Sequence, residues 1–411
     1  MRFGFVSTRF AGTDGVSLES AKWAEVLKQS GHDIYWFCGL SDRPAEITQV
    51  VPEAHFEHPD IIALNETIWE KDTLSTTVNA TVEKIRRRLR EKIREFIDTR
   101  KIDVLVPQNT LTIPMNIPLG LALADIIRET GIPTIAHHHD FYWERDRFTG
   151  NATKPWLVEA FPPVLPSIKH VVINSAAKRD LESRFSIGAT VIPNVMNFTE
   201  AAIASDDYAA DLRERIGLLD TDRLILQPTR IIPRKGIELS IELLARLSDE
   251  RNKLIISHDS GDEGHQYLDS LRQLADSKNV DLRLIGNLIS TERTFAVDGS
   301  KLYTLEDLYP VADFVTFPSL YEGFGNALLE AIHFGKPLLV NRYSVFIEDI
   351  EPVGLNLISI DGSITNESVD DVSKWLEAPP DPARNREIAS RHFGYGVLQH
   401  RLKDLLESLN K

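Results

Sequence analysis

Apolar residues fall in short runs along the chain, separated by stretches whose hydrophobic positions repeat with helical spacing. The runs at 3–7, 34–38, 104–106, 132–136, 171–174 and 190–192 predict strands in the first half. Those at 224–227, 254–257, 282–285, 314–317 and 337–340 predict strands in the second. Near-continuous apolar runs suit strands buried on both faces, as in a parallel sheet. Helices are expected at 18–30, ahead of Gly31 as a C-terminal cap, and at 118–128. Another is expected at 82–97, where Ile85, Leu89, Ile93 and Phe96 share a face. Further helices are expected from Gly236, opening at 306–309, over the segment with Leu328, Leu329 and Ile332, and at 395–409. Residues 41–80 show neither period and are expected to be irregular. Alternating strands and helices predict α/β, doubly wound domains, which bind ligands at the carboxyl ends of their strands. The segment IPNVMNF at 192–198 suits a hinge, dividing the chain into domains at 1–195 and 196–390 with a terminal helix in 391–411.

Composition narrows the class. The 411 residues are 42% hydrophobic and 26% charged, enough to build cores in two domains. A net charge of −15, from 61 acids against 46 bases, argues against nucleic-acid binding. The single cysteine, Cys38, lies in an apolar run and suits a buried structural thiol. No apolar stretch approaches the roughly 18 residues of a membrane span. The opening MRFGF reads as a strand rather than a signal peptide, so stable membrane insertion is not expected and a cytoplasmic location is. Helix 82–97 carries Arg86, Arg87, Arg88, Arg90 and Arg94 opposite its apolar stripe. Glu83, Glu91 and Glu95 lie at pairing distance along it, which favours a solvated face over a lipid-binding one.

The richest chemistry lies at 318–331, PSLYEGFGNALLEA. Gly323 and Gly325 let backbone approach a ligand closely, and the helix that follows starts with unpaired N–H groups and partial positive charge. That combination suits phosphate. Glu322 and Glu330 flank the turn, and carboxylates accept paired hydrogen bonds from vicinal hydroxyls. Phosphate between two hydroxyl-reading acids describes a sugar nucleotide. Arg230 and Lys235 lie in a turn between a strand and a helix, placed to stabilise a departing diphosphate. Asn287, after the strand at 282–285, is positioned to read a base. Gly15, in the loop GTDGV, would admit a phosphate or sugar, or serve only as a connecting turn.

The segment HHHDFYWERDRF at 137–148 follows another strand. Consecutive strand residues face opposite ways, so His137, His138 and His139 do not converge on one metal ion. A single cleft-facing histidine is expected, and His139 is the candidate for bonding a sugar hydroxyl. His138, Tyr142, Arg145 and Arg147 are candidates for an anionic acceptor, although Glu144 and Asp146 would equally neutralise the arginines. The acidic loop at 258–264 lacks the full calcium-loop pattern and is expected to be a polar turn. No metal site and no cofactor are expected.

Taken together, the E-x7-E pattern of Glu322 and Glu330 with GFGN inside, the R-x4-K pair Arg230 and Lys235, the IPN segment and the histidine at 139 resemble the GT4-type retaining glycosyltransferases of the GT-B fold. The resemblance implies two doubly wound, Rossmann-like domains facing across a cleft, with the final helix returning to the first. The nucleotide sugar would bind the second domain and a small-molecule acceptor the first. Glu330 would hold the ribose and Glu322 the donor hexose. The backbone of Gly323, Phe324, Gly325 and Asn326 would hold sugar and phosphate, and Arg230 and Lys235 the leaving diphosphate. The catalytic group would be His139, Arg230, Lys235 and Glu322, acting without metal and with retention. One departure is GTDGV, where many members carry adjacent glycines. A hexosyl (mannosyl or glucosyl) transfer from a GDP- or UDP-linked sugar to a small or anionic acceptor follows, such as a compatible-solute precursor or sugar. The alternatives are a sugar-nucleotide epimerase or hydrolase of the same fold and a non-catalytic sugar-nucleotide-binding subunit.

Overall fold

The computed structural model describes residues 1–12, 14–258 and 265–409. The chain forms two compact units, residues 1–194 with 396–411 and residues 195–395.

In the first unit the elements run β1 (Arg2–Val6), α1 (Gly15–Gln29), β2 (Asp33–Cys38), β3 (Thr48–Val50), α2 (Pro59–Ile68), α3 (Thr76–Arg100), β4 (Val104–Pro107), α4 (Ile117–Thr130), β5 (Thr134–His138), α5 (Lys154–Ala160), β6 (Ile168–Val172), α6 (Ser175–Phe185) and β7 (Ala189–Val191). Their sheet is parallel throughout, in the order β3-β2-β1-β4-β5-β6-β7. Phe3 pairs with Ile34 on one side and Val104 on the other, so β1 is central and its last four residues are buried. The order reverses between β1 and β4. At such a switch point the connections leave in opposite directions and open a crevice beyond the strand ends.

Helix α3 shows why these segments fold locally as they do. Ser75 caps it by accepting from the Val78 N–H, and Lys101 ends it in the left-handed conformation. Val82, Ile85, Leu89, Ile93 and Phe96 form its buried stripe. Its arginines are engaged: Arg86 with Asp125, Glu83 and Glu159, Arg88 with Glu53, and Arg90 and Arg94 with Glu129. Most of these acids come from other elements rather than from the helix itself. Cys38 is fully buried, and burial raises its thiol pKa to about 11.

In the second unit the elements are β8 (Arg223–Gln227), α7 (Ile237–Leu247), β9 (Asn252–Ile256), α8 (His265–Ser277), β10 (Leu282–Leu284), α9 (Leu305–Val311), β11 (Phe314–Phe317), α10 (Asn326–His333), β12 (Leu338–Asn341), β13 (Ile358–Ile360), α11 (Asn366–Glu377) and α12 (Ala383–Phe393). The sheet, again parallel, runs β10-β9-β8-β11-β12-β13 and reverses between β8 and β11. Both β11 and β12 are buried at every position, as expected of inner parallel strands. The last helix, α13 (Tyr395–Leu409), belongs to the first unit, where Gln399 reaches Ser30.

Three expectations are corrected. Residues 41–80 are not irregular: they hold β3, α2 and the start of α3. Pro59 opens α2, and Ile61, Leu64 and Ile68 give it one buried face too short to stand out as a period. The strand expected at 132–136 runs instead from Thr134 to His138, because Pro133 has no N–H to enter the ladder. The second sheet continues past 340 through β13, a three-residue strand with an exposed middle. The acidic stretch 259–264 lies outside the described residues. Among the described residues, no helix is long and apolar enough to cross a membrane, and no cluster of three metal-ligating side chains occurs.

Candidate active site

In the second unit, the sequence-expected residues gather where the β8 and β11 turns meet at the switch point. Gln227, the last residue of β8, is fully buried. Its amide donates to the Lys235 carbonyl at 3.0 Å, and its carbonyl accepts from Ser240 at 2.7 Å. Ser240 in turn accepts from the Thr316 hydroxyl on β11 at 2.9 Å. These buried bonds fix the turn carrying Lys235 between the two strands. Gly236 then turns the chain into α7 with φ +62°, and a Cβ there would stand 2.4 Å from the Pro318 carbonyl oxygen. Only glycine lets this turn touch the one after β11.

Lys235 is 9% exposed and ion-pairs with Glu322, which is 7% exposed. Its ammonium also lies 5.6 Å from the Phe317 ring centroid. Burial lowers its pKa, while Glu322 opposes the shift. The second Glu322 oxygen accepts from Arg234 at 3.1 Å, and the same guanidinium nitrogen donates to the Tyr321 carbonyl at 3.1 Å. Arg230 is exposed, with no ion pair or side-chain hydrogen bond among the described residues, yet it is close enough to disfavour charge on Lys235. Two cations thus pair with one buried carboxylate and Arg230 adds a third positive charge near Lys235, leaving two positive charges in excess.

The GFGN turn is built around the same point. Gly325 has φ +111°, and a Cβ would come 2.6 Å from the Tyr343 hydroxyl. That hydroxyl donates to the Phe324 carbonyl, while the Phe324 ring packs edge-on to Phe393 at 5.4 Å. Phe324 is therefore buried, with its ring and its carbonyl both held inside. Neither α7 nor α10 has a side-chain cap at its start. Glu330, half-buried on α10, accepts from the Tyr309 hydroxyl at 2.8 Å. Tyr309 is buried and stacks on Phe334 at 4.8 Å, and burial raises its pKa well above the usual range. Asn287 is exposed immediately beyond β10. Gly323 and Asn326 lie half-buried at the turn's two ends.

In the first unit, the switch point between β1 and β4 is lined by residues 108–112 and 139–145. Asn109 adopts a left-handed conformation, and its side-chain Oδ1 accepts from the backbone N–H of His139 at 2.9 Å and Asp140 at 3.3 Å. The Gln108 oxygen stands 2.9 Å from His137 Nδ1 and 3.1 Å from His139 Nε2. A carbonyl oxygen accepts, so both ring nitrogens carry hydrogen and His139 Nδ1 keeps its lone pair. Burial lowers the His139 pKa to about 4, so the half-exposed ring is neutral at ordinary pH.

The acceptor candidates differ in where the structure places them. His138 is corrected: its ring is 1% exposed, with Nε2 2.9 Å from His170 Nδ1, and it points into the protein. His137 is buried on the other face, stacked on Trp23 at 4.1 Å. Arg145 is tied to Asp140, and Tyr142 packs partly against the first unit's core. Arg147 is exposed, with its guanidinium 4.6 Å from the Phe148 ring. Gly15 begins α1, but Asp14 caps that helix by accepting from Val16 and Ser17 at 3.1 Å, so the terminus already holds a carboxylate. A Cβ at Gly15 would meet nothing within 4 Å, so protein packing does not demand glycine there. Arg234, Tyr309, Gln108 and Tyr343 were missed as site residues. Only Arg234 carried a signal, as a third cation adjoining Lys235.

Residues 209–392 match the family described as Glycosyl transferases group 1. The mannosylglucosylglycerate synthase of Thermotoga maritima is 32% identical over 99% of each chain. The enzyme of the same name from Petrotoga mobilis is 31% identical over 88% of this chain and 86% of its own. Among solved structures, a glycosyltransferase from Rickettsia africae superposes with a TM-score of 0.68 at 14% identity, covering 100% of this chain and 98% of that one. The chain belongs to the group 1 glycosyl transferases, and its fold is the GT-B fold.

Proposed function

We propose that the chain transfers a hexose, with retention and without a metal ion, from a nucleoside diphosphate sugar to a small carboxylate-bearing acceptor. The observation that carries this is the charge balance around Glu322: Arg230, Arg234 and Lys235 against one acid, at the strand ends where a doubly wound sheet binds ligands. A diphosphate matches that excess and gains charge as its glycosyl bond breaks. Arg230 and Lys235 stabilise the leaving group in the place a divalent metal would take elsewhere. Glu330, held by Tyr309, is oriented to accept from ribose hydroxyls. Neutral His139 offers Nδ1 to a sugar hydroxyl. In the reaction, the bond from the anomeric carbon to the diphosphate oxygen breaks and the acceptor oxygen bonds the same carbon on the same face. The acceptor's proton passes to the leaving phosphate, so no side-chain base is needed.

The names of the two relatives favour a mannosyl donor and a glucosylglycerate acceptor, whose carboxylate accounts for the anionic character. The test is incubation with GDP-mannose, GDP-glucose, UDP-glucose or UDP-mannose, each with glucosylglycerate, glycerate or glucose, in EDTA. Mannosyl transfer to glucosylglycerate is expected, with the anomeric configuration kept in the product's NMR coupling. Donors left intact with every acceptor would refute the proposal. Free hexose formed equally with and without acceptor would point to a hydrolase.

A further inference from the structure

We infer that Arg234 is a positioning residue that keeps the Glu322 carboxylate in place for the donor hexose while the diphosphate draws on Lys235. This rests on the donor site proposed above. Glu322 is almost fully buried, and its two oxygens are held separately, Oε1 by Lys235 and Oε2 by Arg234. The two cations are not equivalent. Lys235 is buried beneath the turn, where an arriving phosphate competes with Glu322 for its ammonium. Arg234 is fixed from both ends: its carbonyl accepts from Leu320 N–H at 2.8 Å, and its guanidinium bridges Glu322 and the Tyr321 carbonyl. A planar guanidinium holding a carboxylate and its own neighbour's carbonyl defines an orientation as well as a charge. With Lys235 turned toward phosphate, Arg234 alone keeps Glu322 from rotating. Without Arg234, Glu322 and the diphosphate depend on the same ammonium.

A double-mutant cycle tests this through binding rather than turnover. The proteins are wild type, Arg234→Gln, Glu322→Gln and the double variant, with thermal melts confirming that each is folded. The probes are GDP-mannose and UDP-glucose, compared with GDP and UDP. Arg234→Gln is expected to weaken the bound sugar nucleotide roughly tenfold, which is about 1.4 kcal/mol. It should weaken the matching bare nucleotide by much less. In the Glu322→Gln background the same change should cost under about twofold, because the residue acts through Glu322. Arg234→Lys, which keeps the charge but not the planar fork, should recover only part of the loss. Equal losses in both backgrounds, or equal losses for sugar nucleotide and bare nucleotide, would make Arg234 a direct phosphate ligand and overturn the inference alone. Wild-type protein that binds none of the four probes would instead overturn the donor site, and this inference with it.

Discussion

Replacing Glu322 with glutamine removes one charge from a group of four and leaves the others in unequal positions. Lys235 loses its buried partner, with side chains 11% and 10% exposed in the intact pair. Breaking a buried ion pair by removing one partner costs about 3–5 kcal/mol, because the charge left behind is uncompensated. The reverse change, Lys235→Met, is milder, since Glu322 keeps its bond to Arg234 at 3.1 Å. Losing one of two charged hydrogen bonds costs about 1.5–3 kcal/mol. For a unit the size of 195–395, each kcal/mol moves Tm by about 2–4 °C. Glu322→Gln should therefore melt about 6–20 °C below wild type and Lys235→Met by roughly half as much. The double variant should melt above the sum of the two losses. Pyrophosphate supplies the second half of the test. In Glu322→Gln three cations face no acid, so saturating pyrophosphate should raise Tm more than in wild type, whereas Lys235→Met should gain least. Calorimetry with and without pyrophosphate reads both effects. If Lys235→Met is the less stable variant, or pyrophosphate lifts all three proteins equally, the charge balance drawn around Glu322 is wrong.

Acid should destabilise the first unit through its buried histidines. Burial holds His170 at a pKa of about 4, against 6.5 in the unfolded chain, and lowers His138 in the same direction. Below about pH 6.5 the unfolded chain takes up a proton that folded His170 refuses, so stability is complete above that pH and falls as the pH drops toward 4. At pH 5 this one group costs about 2 kcal/mol relative to pH 8, and His170→Asn should flatten the Tm–pH profile, whereas an unchanged slope would refute the assignment. Tyr309→Phe removes the bond to Glu330 with little change in packing. It should weaken nucleotide binding by roughly five- to tenfold, about 1–1.4 kcal/mol, while unaltered affinity for both GDP and UDP would dissociate Glu330 from ribose recognition.

The inner strands were the legible part of the fold. The run 314–317 is apolar without interruption because β11 is buried on both faces, and its bounds follow from the sequence alone. Among the edge strands, β7 and β10 were expected from the runs at 190–192 and 282–285, whereas β3 was not, because its three partly exposed residues carry no period to detect. Helix α13 was legible from its leucine stripe. Helices α11 and α12 were not, because their mean character is polar and only two residues of each are buried. At β5 a single proline moved the strand by two residues, which was enough to carry His137 and His138 from a loop into the sheet.

The candidate site divides along a different line. The order of Arg230, Lys235, Glu322 and Glu330 in the chain suggests a phosphate site, because the first three each follow a strand and precede a helix and Glu330 lies within one. What that order lacks is which charge meets which. Lys235 and Glu322 are 87 positions apart, and their pairing depends on β8 and β11 being neighbours at the switch point. Neighbourhood in a doubly wound sheet arises from strand order, which local pattern does not encode. Arg234 illustrates the consequence. In sequence it is one cation beside another, indistinguishable from solvated charge. In the structure the turn after β8 presents it to the second oxygen of a buried acid. The residues flanking the motif, rather than the motif itself, therefore decide how that acid is held, and they are where substitutions should separate binding of the sugar from binding of the phosphate.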